Sequence, residues 1–206
     1  VVARPQTQNV IYFGHLGVDR HNEDKFPIRL FNEVLSGGFS SRLFKEVRSN
    51  RGLAYLVGGR LGEGTRRGLF YNVALTRADA TAETLDVMLD VDRGLQAAPP
   101  SAEEMELARQ ATVNSFVFLF DTPEQIVQQK MTLDAFDYPE DYLERWVESV
   151  EAVTPEDVQR AAARHLALDR MVVLIFGEID EALRARFADE GELIIISEEE
   201  LRAKWL

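Results

Sequence analysis

The chain has 206 residues and no cysteine, and its 35 acidic side chains against 23 lysines and arginines give a formal charge of −12. The lack of thiols excludes disulfide frameworks, thiolate zinc sites and cysteine nucleophiles, and the acidity argues against nucleic acid and anionic membrane surfaces as partners. No apolar run reaches the roughly 18 residues that span a bilayer, so we expect no membrane partner. We also expect no secretory signal in this segment. The compartment stays open, with the cytoplasm favoured.

The first elements predicted along the chain are a strand and two helices. Residues 6–18 predict a strand with at least one buried face, with Val10, Tyr12, Leu16 and Val18 on one side and Ile11, Phe13 and His15 on the other. Residues 22–24 supply capping side chains for a helix that ends at Gly37–Gly38. A second helix follows from Ser40, and Gly52 is placed to take a left-handed conformation where that helix stops.

A hairpin is predicted next, from two strand-like runs at residues 53–60 and 68–76. Four glycines serve this hairpin or permit the close approach of another domain: Gly58, Gly59, Gly62 and Gly64.

The second half of the chain is mainly helical. Helical spacing and capping signals predict five helices, which begin at Asp79, Ser101, Thr122, Pro139 and Thr154. The apolar run Met171–Phe176 predicts a fully buried strand in the middle of a sheet. The tail contributes one more helix around Leu183 and Phe187, a short apolar run Leu193–Ile196 and a charged helical end.

This order of elements predicts an α+β fold, a mixed and mainly antiparallel sheet covered on one face by helices. We expect a single domain over residues 1–206, with its core at about 6–180 and a tail helix and strand at 181–206.

The most informative stretch is Leu35–Tyr55, LSGGFSSRLFKEVRSNRGLAY. It closely resembles the signature in the C-terminal half-domain of zinc peptidases of the insulinase / mitochondrial processing peptidase (pitrilysin) family, where a Gly-Gly pair, Ser-Arg-Leu-Phe, an Arg and Gly-Leu-Ala-Tyr follow one another. The resemblance covers roughly residues 6–180. It implies one half of a peptidase in which two halves close around an unfolded peptide, with zinc and the general base on the other half.

Two residues of this motif are candidates for substrate binding. Arg48 falls in the last turn of the second helix and Tyr55 on the outgoing strand, so the reversal at Gly52 can bring them together. A fixed cation and a phenolic donor suit a peptide carbonyl or the oxyanion that develops on it. The alternative from spacing alone is that Arg48 pairs with an acid and Tyr55 is a half-buried strand residue. The resemblance implies that both contact substrate.

The zinc centre of this family requires a pair of histidine ligands that this sequence does not contain. An inverted H-x-x-E-H helix needs two histidines four residues apart, whereas the sequence holds only His15, His21 and His165. We therefore expect no metal ligand and no catalytic residue here, and no activity from this chain alone. Zinc is expected on an N-terminal zinc-binding half-domain or a partner subunit. The segment His21–Asp24 is interpreted as a helix cap.

Two other hypotheses stay open. Core subunits of the respiratory bc complex resemble the same family, which makes a non-catalytic scaffold subunit the alternative function. A peptide-binding module that uses a free sheet edge is the third possibility. The half of the peptidase that is missing would leave an apolar patch uncovered, so self-association is also expected to be possible.

Overall fold

The structure, a computed structural model, describes residues 2–3, 7–188 and 194–205. The strands in these ranges are β1 (Val2–Ala3), β2 (Gln8–Leu16), β3 (Val18–Asp19), β4 (Ala54–Leu61), β5 (Glu63–Gly64), β6 (Leu69–Arg77), β7 (Val172–Gly177) and β8 (Ile196–Ser197). The α-helices are α1 (Lys25–Ser36), α2 (Thr81–Ala97), α3 (Ala102–Phe116), α4 (Pro123–Ala135), α5 (Trp146–Glu151), α6 (Pro155–His165), α7 (Glu181–Ala188) and α8 (Glu198–Trp205). A π-helical segment spans Phe44–Asn50, and 3-10 helices span Ala78–Ala80 and Val117–Phe120.

A six-stranded sheet organises the fold, in the order β4-β6-β2-β7-β1-β8. The first four strands are antiparallel neighbours, whereas β1 runs parallel to β7 and β8. The predicted α+β class with a mixed, mainly antiparallel sheet is confirmed, and so is the hairpin, formed by β4 and β6. Strand β7 lies between β2 and β1, which confirms its predicted central place.

One face of the sheet packs on the helices. The inward residues of the central strands are fully buried, among them Ile11, Phe13, Phe70, Ala74 and Ile175. Helices α1, α2 and α6 cover them with their own apolar stripes. Burial of each large side chain contributes about 1.5–3 kcal/mol, so this interface adds substantially to the apolar stabilisation of the fold.

The opposite face of the sheet is apolar but exposed. Its outward residues include Tyr12, Leu16, Leu56, Leu69, Tyr71, Val172 and Leu174. The prediction of a fully buried β7 is therefore wrong, because helices cover the strand on one side only: Ile175 is buried and Val172 is 74% exposed. We refer to the seven outward residues listed above as the open face.

Within the described part of the chain, no helix has the length and apolar character to cross a membrane.

The free side of edge strand β4 is covered by polar side chains of α1. The backbone N–H of Gly59 donates to Ser36 Oγ at 3.0 Å, and that of Leu61 donates to Asn32 Oδ1 at 2.7 Å. Asn32 Nδ2 in turn donates to the Leu61 carbonyl at 3.0 Å. These bonds satisfy backbone groups that an added strand would need, so peptide pairing along this edge is blocked at Gly59 and Leu61.

A polar pair lies inside the core between β6 and α2. Asn72 and Asp92 are both fully buried, and Asn72 Nδ2 donates to Asp92 Oδ2 at 2.8 Å. Burial raises the pKa of Asp92 to about 8, more than the bond from Asn72 lowers it. Gly59 faces Asn72 across the strand pair, and a Cβ at Gly59 would lie 1.7 Å from Asn72 Oδ1. The close approach at Gly59 thus comes from a side chain of the same sheet and not from another domain.

One predicted helix start differs from the structure. The helix expected from Pro139 begins only at Trp146; before it, residues 139–145 form turns such as Tyr142 N–H to Pro139 carbonyl, at 3.0 Å. Stacking of Tyr142 on Phe26, with ring centroids 6.2 Å apart, holds this segment against α1 and overrides its helical propensity. The tail helix around Leu183 is confirmed as α7, whereas Leu193 lies outside the described residues.

The predicted cap of α1 is also different. The Asp24 carboxylate caps no helix; it accepts from His165 Nε2 at 2.8 Å and Arg164 Nη1 at 3.2 Å, at the end of α6. Asn22 Oδ1 accepts the Asp24 N–H at 2.9 Å instead. The Asp24 carboxylate, which the sequence predicts as part of a helix cap, therefore links the end of α6 to the start of α1.

Candidate functional site

The candidate site is built where the π-helical segment reverses into β4. Gly52 has φ +62°, which confirms the predicted left-handed conformation. Its N–H donates to the Arg48 carbonyl at 3.1 Å, and the Leu53 N–H donates to the Val47 carbonyl at 2.9 Å. These bonds end the segment with Arg48 in its last turn, as predicted. The π-helical geometry was not predicted, because apolar spacing does not separate it from an α-helix over two turns.

Tyr55 occupies a bulge in β4. Ala54 pairs with Thr76 and Leu56 with Leu75, so Tyr55 has no partner on β6. A bulge turns a side chain away from the alternation of its strand, and Tyr55 is 73% exposed. The buried Thr76 Oγ1 donates to the Leu53 carbonyl at 2.6 Å, which fixes the backbone just before the bulge.

The structure brings Arg48 and Tyr55 together. The Arg48 Cζ lies 5.2 Å from the centroid of the Tyr55 ring and 4.9 Å from that of Phe44, so the guanidinium contacts two aromatic rings. Arg48 is exposed, and among the described residues no carboxylate forms an ion pair with it. The alternative of a paired Arg48 and a half-buried Tyr55 is thus not what the structure shows.

This arrangement is an oriented cation beside a phenol on an open surface. Contact with two rings restricts the guanidinium while leaving its N–H donors available for carbonyl oxygens. A cavity of about 280 Å³ lies elsewhere, between α1 and α3, and is lined by residues such as Glu33, Ser41 and Glu104 rather than by Arg48 or Tyr55. A second body is needed to exclude water from the site and so strengthen its polar contacts.

Phe39 and Phe44 extend the site beyond the predicted residues. Their ring centroids are 4.9 Å apart in an edge-to-face arrangement of 81°, and Phe39 is 79% exposed. The sequence pattern predicts Phe44 only as an apolar residue of the second helix. The signal that could have found Phe39 is a large aromatic directly after a Gly-Gly pair, where a core position is not expected.

Arg42 of the same motif forms an ion pair that anchors the motif to α3. Its guanidinium binds the Glu104 carboxylate with two bonds, 2.7 Å and 3.0 Å long, and Glu104 also closes the capping box of α3 with Ser101. The bond from Arg42, more than any other contact, lowers the pKa of Glu104 to about 2. The motif is therefore anchored to α3 by an ion pair at 23% and 22% side-chain exposure.

We expect Arg42→Ala to lower the free energy of unfolding at pH 7 by about 2 kcal/mol, a value reduced for solvent screening. Because the pKa of Glu104 is lowered in the folded state, the wild type has this stabilisation above about pH 4.5 and loses it as the pH falls towards 2. Urea unfolding at pH 7 and pH 3 measures both effects. Arg93→Ala, which breaks an exposed pair with Asp90, is the control and should change stability by less than about 0.5 kcal/mol. An equal loss for Arg42→Ala at both pH values would contradict the assignment.

The histidines of this chain do not fit the zinc centre of the related peptidases. His15 Nε2 accepts the Ala167 N–H at 3.0 Å, which leaves Nδ1 to donate to the Leu16 carbonyl at 2.8 Å. His165 binds Asp24, and the His21 ring contacts the Tyr138 ring at a tilt of 39°. The described residues contain no group of three or more histidines and acids that could hold a metal ion.

Comparisons with known proteins agree with the motif. An uncharacterised zinc protease of Streptomyces coelicolor is 28% identical in an alignment of 199 positions that covers 92% of this chain and 41% of that protein. The crystal structure of a peptidase M16 inactive domain from Pseudomonas fluorescens superimposes with a TM-score of 0.81 at 30% identity, over 87% of this chain and 43% of that one. At 13% identity, a chain of Complex III2 from Candida albicans shares the fold, with a TM-score of 0.74 over 92% of this chain and 48% of that one.

The family profile described as the peptidase M16 inactive domain matches residues 1–112, which are more than half of the chain. The chain spans about two fifths of the curated relatives that it matches. It belongs to the family of inactive C-terminal half-domains of M16 zinc peptidases.

Proposed function

We propose that this chain is the zinc-free half of an M16 peptidase, which binds an unfolded peptide and closes the chamber around it. Arg48 and Tyr55 contact the peptide backbone, while zinc and the general base come from an N-terminal half-domain or a partner subunit. The observation that carries the proposal is the exposed Arg48 guanidinium, held against the Tyr55 ring at 5.2 Å by a helix end and a bulge.

The chemistry follows from charge and hydrogen bonding. A peptide carbonyl becomes more negative as a nucleophile adds to it, so donors aimed at its oxygen bind the tetrahedral state more tightly than the substrate. Arg48 supplies N–H donors with a permanent charge, and Tyr55 supplies a neutral O–H. Both are positioned before substrate arrives, which reduces the entropy lost on binding.

The open face of the sheet supports a peptide as substrate. It presents seven apolar or aromatic residues to solvent on one continuous side of four paired strands. An unfolded peptide exposes its apolar side chains and can cover such a surface, whereas a folded substrate buries them. The net charge of −12 also favours neutral or basic peptides over acidic ones.

We expect Arg48→Ala and Tyr55→Phe each to reduce kcat/KM of the assembled peptidase by about 100-fold, because each removes one donor to the developing oxyanion. The folded state should be kept in both variants, since the two side chains are exposed. Steady-state cleavage of a fluorogenic peptide by this chain together with its zinc-binding half measures the effect.

The matched control is Lys45→Ala, which removes an exposed cation from the same helical segment. It should leave kcat/KM within about twofold, as a surface charge outside the site. Unchanged turnover in both Arg48→Ala and Tyr55→Phe would overturn the proposal. An equal loss of kcat/KM in Lys45→Ala would show that the loss in Arg48→Ala comes from the removal of any positive charge and not from a contact at the site.

A scaffold subunit without peptidase activity is the second candidate. It is supported by the fold shared with a Complex III2 chain and by helix α4, which has no buried residue and exposes Ile126, Val127 and Met131. Such a helix suits a permanent protein neighbour. An assembled protein that contains the zinc-binding half and cleaves no peptide would favour this candidate.

A further inference from the structure

Phe39 is a large aromatic residue that the fold does not need. Its side chain is 79% exposed, and its one ring contact among the described residues is the edge-to-face contact with Phe44. A ring so exposed contributes little burial energy to folding. The same ring would gain apolar contact area if another molecule covered it.

The loop that carries Phe39 holds it in place. Gly38 has φ +95°, and its carbonyl accepts from both the N–H of Ser41, at 3.2 Å, and the Ser41 hydroxyl, at 2.7 Å. The Gly38 N–H donates to the Ser36 carbonyl at 2.9 Å. The ring is therefore presented from a bonded turn rather than from a free loop, and a ligand that covers it need not order it first.

Phe39 and the peptide-binding pair form one continuous surface. Its ring contacts Phe44, the Phe44 ring contacts the Arg48 guanidinium, and the guanidinium contacts Tyr55, with successive distances of 4.9, 4.9 and 5.2 Å. An extended peptide advances about 3.3 Å per residue. A side chain two or three residues from the carbonyl at Arg48 therefore reaches the Phe39 ring.

We infer that Phe39, backed by Phe44, is a specificity-determining residue that selects peptides with a large apolar side chain two or three residues from the carbonyl bound by Arg48. The inference rests on the proposed function, because it places the backbone of the same peptide at Arg48 and Tyr55. Aromatic and long aliphatic side chains are the class of ligand, since a half-open pair of rings offers apolar contact and no charge or hydrogen-bond partner.

The test uses the assembled peptidase and pairs of peptides that differ only by Phe or Ala at one position, moved in turn through the residues on each side of the cleaved bond. The wild type should cleave the Phe peptide about tenfold better than its Ala counterpart at one position, measured as the ratio of kcat/KM values. Phe39→Ala should bring this ratio close to one. Phe39→Tyr keeps the ring and should retain the preference.

Two controls separate the possible causes. Phe118→Ala removes another exposed ring, 62% exposed, which forms no part of the surface, and should leave the ratio unchanged. Arg48→Ala should lower kcat/KM of both peptides by the same factor and so leave the ratio near its wild-type value. Loss of the ratio in Phe39→Ala alone supports the inference; an unchanged ratio overturns it even if Arg48→Ala confirms the proposed function.

The remaining outcomes of the experiment also test the inference. If Phe39→Ala lowers the melting temperature of the assembled peptidase and leaves the ratio unchanged, Phe39 contacts the zinc-binding half and the inference is wrong. If no peptide is cleaved, the same ratio is measured from dissociation constants by fluorescence anisotropy. Equal affinities of the wild type for the Phe and Ala peptides at every position then overturn the inference, whereas a preference of the wild type that Phe39→Ala abolishes supports it.

Discussion

At pH 8 the Asp92→Asn variant is expected to resist urea better than the wild type, although it removes a charged group from a fully buried position. The pKa of the Asp92 carboxyl is raised to about 8 in the folded protein, chiefly by burial, against an ordinary value of 3.8. Asn keeps the size of the side chain and carries no charge at any pH, so the cost of ionisation in the core disappears.

The expected pH dependence follows from the direction of this shift. The folded state holds its proton more tightly than the unfolded state, so the free energy of unfolding falls as the pH rises from about 4 to about 8. The slope can reach about 1.4 kcal/mol per pH unit, and the total loss several kcal/mol. Urea unfolding of both proteins at pH 5, 6, 7 and 8 measures it.

The geometry around Asp92 supports a protonated carboxyl. Its Oδ1 and the Asn72 Oδ1 are buried acceptors without a donor among the described residues, and a proton on the carboxyl supplies one. Asp90→Asn, at an exposed position on the same helix, is the matched control and should keep the wild-type slope. The same slope in Asp92→Asn as in the wild type would refute this account of the pair.

Gly59→Ala is expected to cost about 2–4 kcal/mol of unfolding free energy, whereas Gly58→Ala should cost less than about 1 kcal/mol. The difference arises from what each new methyl group meets. At Gly59 it lies 1.7 Å from Asn72 Oδ1 and so displaces the fully buried Asn72 from Asp92; at Gly58 the nearest atom is Ser36 Oγ at 3.3 Å, the end of a short side chain.

Thermal and urea unfolding of the two neighbours measure this contrast, and neither glycine has a positive φ that would strain an alanine. Asn72→Ala should suppress much of the effect of Gly59→Ala, since the contact is then already removed. Equal stability of the two alanine variants would show that Asn72 moves aside without cost.

The sequence allowed the fold class to be predicted because both periodicities are strong. Side chains that point alternately to two sides mark β2, two strand-like runs around a turn mark the hairpin, and three capping boxes mark α3, α4 and α6. The convergence of Arg48 and Tyr55 could also be expected, since a glycine between a helix and a strand forces a reversal there. These are local signals, and local signals are readable in one chain.

What the sequence could not predict depends on distant contacts. The bulge at Tyr55 exists only through the pairing of β4 with β6, and the task of Gly59 depends on an asparagine 13 positions later. Asp24 has the pattern of a helix cap, yet its partners Arg164 and His165 come 140 and 141 positions later in the sequence. Exposure of one side of β7 depends on where the helices lie, which an apolar run does not reveal.

The hydrogen bonds from Asn32 and Ser36 to the edge of β4 bear on how two halves of a peptidase can meet. Because the backbone N–H groups of Gly59 and Leu61 already donate to α1, a second half cannot extend the sheet at these two residues and must dock there through side chains. In the two-half peptidase proposed above, contacts of that kind separate without rupture of a main-chain ladder, so the halves can part while each stays folded.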